Sequence, residues 1–94
     1  MIQTPVLPVA YSRLTWYEKR NVRDSYVDLQ RGMCMYCDTS LSVRPEQTKP
    51  IDLRLFPDGF LKYPVHLQHN HDTDMTEGAV HAYCNAVLWQ YEGK

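Results

Sequence analysis

"HLQHNHDTDMTEGAVHAYCN", residues 66 to 85, carries all four histidines of this 94-residue chain, with one of its three cysteines and two asparagines. A packed core gains nothing from so many imidazoles side by side, because each buried ring nitrogen has to find a hydrogen-bond partner. The stretch therefore reads as a set of ligands and proton carriers, and its partners are to be sought elsewhere in the chain.

The first partner is a matching pair. His81 and Cys84 form H-x-x-C, and Cys34 and Cys37 form C-x-x-C well upstream. Spacing of this kind lets two side chains from one turn reach the same ion, and three thiolates with one imidazole are an ordinary tetrahedral zinc set. The competing reading is a redox C-x-x-C with Cys84 a plain buried thiol and His81 incidental. A redox site would need a strand–helix context and a longer chain around it. The repeated spacing favours structural Zn²⁺ on Cys34, Cys37, His81 and Cys84. A chain this short buries only about 60–65% of its unfolded surface. Zinc worth roughly 10–16 kcal/mol in small metal-bound domains would then condition folding.

Length bounds the protein to one domain. An odd cysteine count excludes a purely disulfide framework. The sequence has no basic and apolar leader and no apolar run near 18 residues, so neither secretion nor a membrane span is expected. The expected compartment is the cytoplasm, where cysteine clusters bind metal more often than they cross-link. Net charge is −1, but it is unevenly spread. Arg13, Lys19, Arg20, Arg23 and Arg31 outnumber Glu18, Asp24 and Asp28 in the first third. Asp72, Asp74, Glu77 and Glu92 outnumber Lys94 in the histidine-rich end.

Residues 1–11, with two prolines and no periodicity, read as an extended arm. Residues 12–31 lack Gly and Pro until Gly32, and Leu14, Tyr17, Val22, Tyr26 and Leu29 fall on one helical stripe. This predicts a helix capped by Ser12 or Thr15, broken near Asn21 if anywhere, and closed by Gly32. "IDLRLF" (51–56) and "FLKYPVHLQH" (60–69) flank a Pro57–Gly59 turn signal and predict a β-hairpin with Pro64 at an edge or bulge. "NHDTDMTEG" reads as loop, "AVH" as a short strand or its remnant, and "AYCNAVLWQYE" (82–92) as a closing helix.

Zinc aside, His66, Gln68, His69, Asn70, His71, Asp72 and Asn85 remain, and Asn85 is fixed by whatever fixes Cys84. Here the chain resembles the phage recombination endonuclease VII branch of the HNH (His-Me finger) nucleases, in register at His69, His71, Thr73, Gly78, Cys84 and Asn85. "YVDLQRGMCMYCDTSL" similarly resembles that family's Q-x-G-x-C-x-x-C element, with Gln30 offset by one. The resemblance spans residues 26–41 and 66–89. It does not cover the first 25 residues or the 42–65 insertion.

The resemblance implies an α+β fold: a small ββα-metal domain with a zinc knuckle and an N-terminal helix, the core occupying 32–94. It also implies a metal-dependent endonuclease that hydrolyses DNA phosphodiesters. His69 would be the general base, His71 would lie beside the metal and the scissile phosphate, and Asn85 would ligate a catalytic Mg²⁺ or Mn²⁺. His81 stands where the family has a zinc cysteine, which is chemically benign. Gln68 stands where the family has a metal-ligating aspartate, and loss of that charge weakens the hold on a hard cation. Arg13, Lys19, Arg20, Arg23, Arg31 and Lys62, with Arg54, are the candidate phosphate contacts, and Tyr11, Trp16 and Tyr17 the candidate stacking residues. Without a recognition module, low sequence specificity is expected. A monomer would nick, and a homodimer would cut both strands. The setting implied is a bacterial or phage-infected host cytoplasm. The alternatives are a DNA-binding module that has lost catalysis through Gln68, and a zinc-stabilised adaptor or inhibitor that binds another protein.

Overall fold

The computed structural model describes residues 6–93. The first helix, α1 (Trp16–Leu29), begins at Thr15. The Thr15 hydroxyl accepts from the Glu18 N–H at 3.1 Å, and the Glu18 carboxylate accepts from the Thr15 N–H at 3.1 Å. This reciprocal cap satisfies donors that a helix start otherwise leaves open. α1 runs unbroken through Asn21. Arg31 and Gly32 follow it at φ 56° and 75°, and the Gly32 N–H returns to the Val27 carbonyl at 2.8 Å. The helix is shorter than the 12–31 expected. Tyr11–Arg13 instead form a separate 3-10 turn, because Ser12 is tied to the Asp74 carboxylate by both its N–H and its hydroxyl. Of the expected stripe, Val22 and Tyr26 are buried, whereas Tyr17 and Leu29 are 61% and 68% exposed.

β1 (Val65–His69) and β2 (Thr76–His81) make a two-stranded antiparallel sheet, pairing Val65 with His81 and Gln68 with Gly78. A bulge follows Gln68, so His69 opposes Thr76 and Glu77 is left over. The hairpin expected from 51–56 and 60–69 is not formed. β1 takes its partner from the other side in sequence, and Leu53–Leu55 is a 3-10 turn whose Asp52 side chain accepts from the Arg54 N–H. "AVH" belongs to β2, which runs directly into the second helix, α2 (Ala82–Glu92), over the expected residues. Pro64 sits just ahead of β1, and its carbonyl accepts from the Ala82 N–H at 2.9 Å, joining the strand start to the helix start.

The core joins all of these elements: Val22 and Tyr26 of α1, Ala79 and Val80 of β2, Cys84 and Leu88 of α2, and Cys34 and Leu41 between them. Two polar devices hold α1 and the arm to the sheet. The Gln30 side chain pairs with the Ala79 backbone as another strand would, accepting its N–H at 2.8 Å and donating to its carbonyl at 2.9 Å. The arm pairs with the β1–β2 loop: Val9 exchanges hydrogen bonds with Thr76, Ala10 bridges Met75, and the Tyr11 N–H donates to the Asp74 carbonyl at 2.7 Å. The result is a small α+β domain of two helices and one two-stranded sheet, with strand–strand–helix order in its C-terminal part. Among the described residues no helix is long and apolar enough to cross a membrane.

Candidate functional site

Cys34 and Cys37 lie on a tight turn in which the Asp38 N–H donates to the Cys34 carbonyl at 3.0 Å and Asp38 takes a left-handed φ of 60°. His81 closes β2 and Cys84 is in the first turn of α2, so the strand-to-helix junction presents the second pair. The ligand atoms of Cys34, Cys37, His81 and Cys84 all lie within 4.8 Å of one another. The His81 Nδ1 stands 3.4 Å from the Cys37 Sγ and 3.6 Å from the Cys84 Sγ. Tetrahedral zinc, with bonds of about 2.3 Å to sulfur and 2.0–2.1 Å to nitrogen, requires an S···N separation of about 3.5 Å.

The tautomer fits as well. His81 Nε2 faces two carbonyls, of Ser40 at 2.8 Å and Val43 at 2.9 Å, and must therefore carry the proton. The Nδ1 lone pair is left to the cluster, with the outer nitrogen anchored as it is in metal-binding histidines generally. Within the cluster a hydrogen bond from Cys84 draws the Cys34 thiol down to about 4 against the burial that raises it, and the same bond pushes Cys84 up. All three cysteines are free thiols. The four residues form a cluster that can hold a zinc ion.

A cleft of about 730 Å³ lies along β1, whose residues Val65 to His69 line it. His66, Gln68, His69, His71 and Asn85 all line it, as do Lys19, Arg20 and Arg23 of α1. The bulge after Gln68 turns His69 toward the arm, where its ring stacks on Tyr11 with centroids 3.8 Å apart and planes 5° from parallel. His71 meets His69 edge-on at 4.6 Å. Burial, reinforced by His71, lowers the His69 pKa, so the ring is neutral and able to accept a proton at pH 7. Lys19 lies over the same Tyr11 ring, 4.2 Å from its centroid.

The Asn85 Nδ2 donates to the His66 Nδ1 at 3.0 Å, which leaves the Asn85 oxygen as its remaining acceptor. Burial lowers the His66 pKa and favours the neutral ring that this bond needs, although bonds to the Phe60 and Tyr63 backbone pull the other way. Gln68 is 2% exposed and donates from Nε2 to the His69 carbonyl at 3.1 Å.

Of the candidate phosphate contacts, Lys19, Arg20 and Arg23 line the cleft, and Arg13, Arg31, Arg54 and Lys62 do not. Arg23 also pairs with Asp24 at 3.1 Å, and Arg54 is held by Asp52 at 3.0 Å. Trp16 and Tyr11 line the cleft, and Tyr17 does not. Sequence reasoning gave Tyr11 and Gln30 other parts and passed over the aromatic residues from 51–64 and α2. Tyr11 acts here as the stacking partner of His69, Gln30 clamps β2, and Phe56, Phe60 and Trp89 line the cleft as an aromatic cluster. The Q-x-G-x-C-x-x-C element held a signal for Gln30. Nothing local marked the aromatic wall, which assembles from the 51–64 segment and α2.

The cleft donors are amides and imidazoles, and no Asp or Glu is among the residues that line it. Mg²⁺ and Mn²⁺ take oxygen-rich sets anchored by carboxylates. With three cations in the wall, the chain's own donors do not fit either ion. A scan against protein-family models, a search of curated proteins and a search of solved structures each return no match to this chain.

Proposed function

We propose that the protein is an HNH-type endonuclease that cleaves DNA phosphodiesters in this cleft, with the zinc-binding cluster as the staple that holds its two halves together. One observation carries the proposal: three imidazoles, two amides and three cations line a single cavity, as a phosphodiester requires.

His69, neutral and oriented by Tyr11, takes the proton from water as it attacks phosphorus. Lys19, Arg20 and Arg23 bind the phosphate and offset the charge that develops on it. His71, exposed and beside His69, faces the phosphate from the solvent side. Gln68 and Asn85 are positioning groups, one hydrogen-bonded to the His69 backbone and the other to the His66 ring. Attack breaks the P–O3′ bond, and the leaving 3′-oxygen takes its proton from solvent. The donor set does not fit the divalent ion that the resemblance implies, and these roles belong to the chain's own residues alone. Products carry 5′-phosphate and 3′-hydroxyl ends, and sequence preference is low because the contacts are to backbone phosphates.

The test is nicking of supercoiled plasmid by zinc-loaded protein with Mg²⁺, Mn²⁺ or Ni²⁺, without added metal, and with His69→Ala. Nicked product that disappears in a folded His69→Ala variant supports the proposal. Intact plasmid under every condition overturns it. The absence of a carboxylate from the cleft favours one second reading, a DNA-binding module without catalysis. Plasmid that is retarded on a gel but never nicked would establish that instead.

A further inference from the structure

The cleft has a second wall that phosphate chemistry does not explain. Segment 51–64, which lies in the insertion outside the family resemblance, supplies Phe56, Phe60 and Tyr63 to the cleft, and α2 supplies Trp89. Phe56 stacks on Phe60 with centroids 4.7 Å apart, meets Trp89 edge-on at 5.6 Å, and Phe60 meets the His66 ring edge-on at 4.8 Å. These rings are not part of the buried core that joins α1, the sheet and α2. Tyr63 is 64% exposed and Trp89 44% exposed. Aromatic residues that merely sealed the segment to the domain would be covered. These line the same cavity as Lys19, Arg20 and Arg23.

We propose that the aromatic wall stacks the unpaired bases of single-stranded DNA while the cations of α1 follow its phosphates. The inference rests on the phosphodiester cleft proposed above and deepens it by naming the form of the substrate. Aromatic faces in a cleft that also carries basic side chains are the combination that binds single strands, because every base offers a π-face once it is unstacked. A duplex keeps its bases stacked on one another and presents phosphates alone, so it would leave this wall unused. The cleft, at about 730 Å³, is of the size that admits a drug-sized molecule (about 300–1,000 Å³) and has room for a base with its phosphate.

The protein carries its own reporter, because both of its tryptophans, Trp16 and Trp89, line the cleft. The experiment titrates zinc-loaded protein, without added Mg²⁺, with a labelled single-stranded oligonucleotide and with the duplex of the same sequence. Anisotropy reads affinity and tryptophan fluorescence reads stacking. The single strand should bind at least tenfold tighter and quench the emission. Tyr63→Ala and Trp89→Leu should each weaken single-strand binding by about tenfold or more while leaving duplex binding within about twofold. Tyr63, being the more exposed, is the variant whose folding is least affected, and circular dichroism with zinc content checks both. Equal affinity for the two forms without quenching, or single-strand binding indifferent to both variants, overturns the inference. Plasmid nicking is scored separately: nicking with equal affinities sinks the stacking wall alone, and aromatic-dependent single-strand binding without nicking sinks the nuclease alone. Binding to neither form sinks both.

Discussion

A methyl group at residue 78 would enter a tight contact between β2 and the side chains of Gln30 and Met35. A Cβ built on Gly78 lies 2.7 Å from the Gln30 Oε1, 2.7 Å from the Met35 Sδ and 3.2 Å from the Met35 Cβ. The thioether can swing away, but the other two atoms are held. The Gln30 amide is fixed by both backbone groups of Ala79 and by the Met33 carbonyl at 2.7 Å. Met35 is fixed by its N–H bond to the Ala79 carbonyl at 3.0 Å. Room for the methyl therefore comes only from opening the clamp. Overpacking costs about 1–3 kcal/mol. Leaving the buried Ala79 N–H unpaired adds about 1–3 kcal/mol. The combined ~2–6 kcal/mol compares with a total stability on the order of 5–14 kcal/mol for a chain of this length. Gly78→Ala should lower the Tm by roughly 10–30 °C. Circular dichroism melts in zinc-containing buffer on Gly78→Ala, Gln30→Ala and the double variant provide the check. Both substitutions break one clamp, so the double variant should lose at least about 1 kcal/mol less than the sum of the singles. A Gly78→Ala protein melting within about 4 °C of the parent, or strictly additive losses, would refute the clamp.

Other outcomes follow from the same contacts. Chelation of zinc, Cys37→Ala or His81→Ala should abolish the helical circular dichroism signal, and one equivalent of Zn²⁺ should restore it to the chelated protein; a folded, zinc-free Cys37→Ala chain would contradict this. The proposed base works only when neutral, and burial with help from His71 lowers the His69 pKa below its ordinary 6.5. The acid limb of the nicking rate should therefore be centred below pH 6.5, and a limb centred at or above 6.5 would count against His69. Gln68→Asp places a carboxylate where the side chain is 2% exposed, so the Tm of the zinc-loaded protein should drop in buffer without Mg²⁺ or Mn²⁺ and recover when either is added at millimolar concentration, as an ion neutralises the charge. A Tm that ignores the divalent ion would mean that residue 68 does not face the metal position.

The parts of the fold governed by short-range rules were legible. Thr15 was one of the two expected caps and is the one that starts α1, Gly32 lies just beyond the helix end, and the paired x-x spacings of the cysteines and His81 placed one cluster that the structure brings together. The strand partner was not legible. Residues 51–56 alternate well enough to suggest a strand, yet β1 pairs with Thr76–His81, because there the cysteine cluster, the Gln30 clamp and the buried Ala79 and Val80 fix the register together. No local pattern weighs tertiary anchors of that kind. Exposure on α1 failed for a similar reason. Tyr17 and Leu29 fit the helical period, but the sheet is too narrow to cover the whole stripe. In the cleft, His66, Gln68, His69, His71 and Asn85 stood out because polar residues are crowded there in sequence. The aromatic wall did not, since its members are dispersed from Phe56 to Trp89 and meet only in three dimensions.

The arm has a consequence in time. Val9 and Thr76 bond across 67 positions, and Ser12 reaches Asp74 across 62. On the ribosome Tyr11 emerges early and waits, without its partner, until most of the chain has followed. His69 acquires its ring-on-ring support only after that. A copy cut ahead of Ser12 would therefore keep His69, His71, Asn85 and all three cleft cations and still lack the alignment that Tyr11 gives His69.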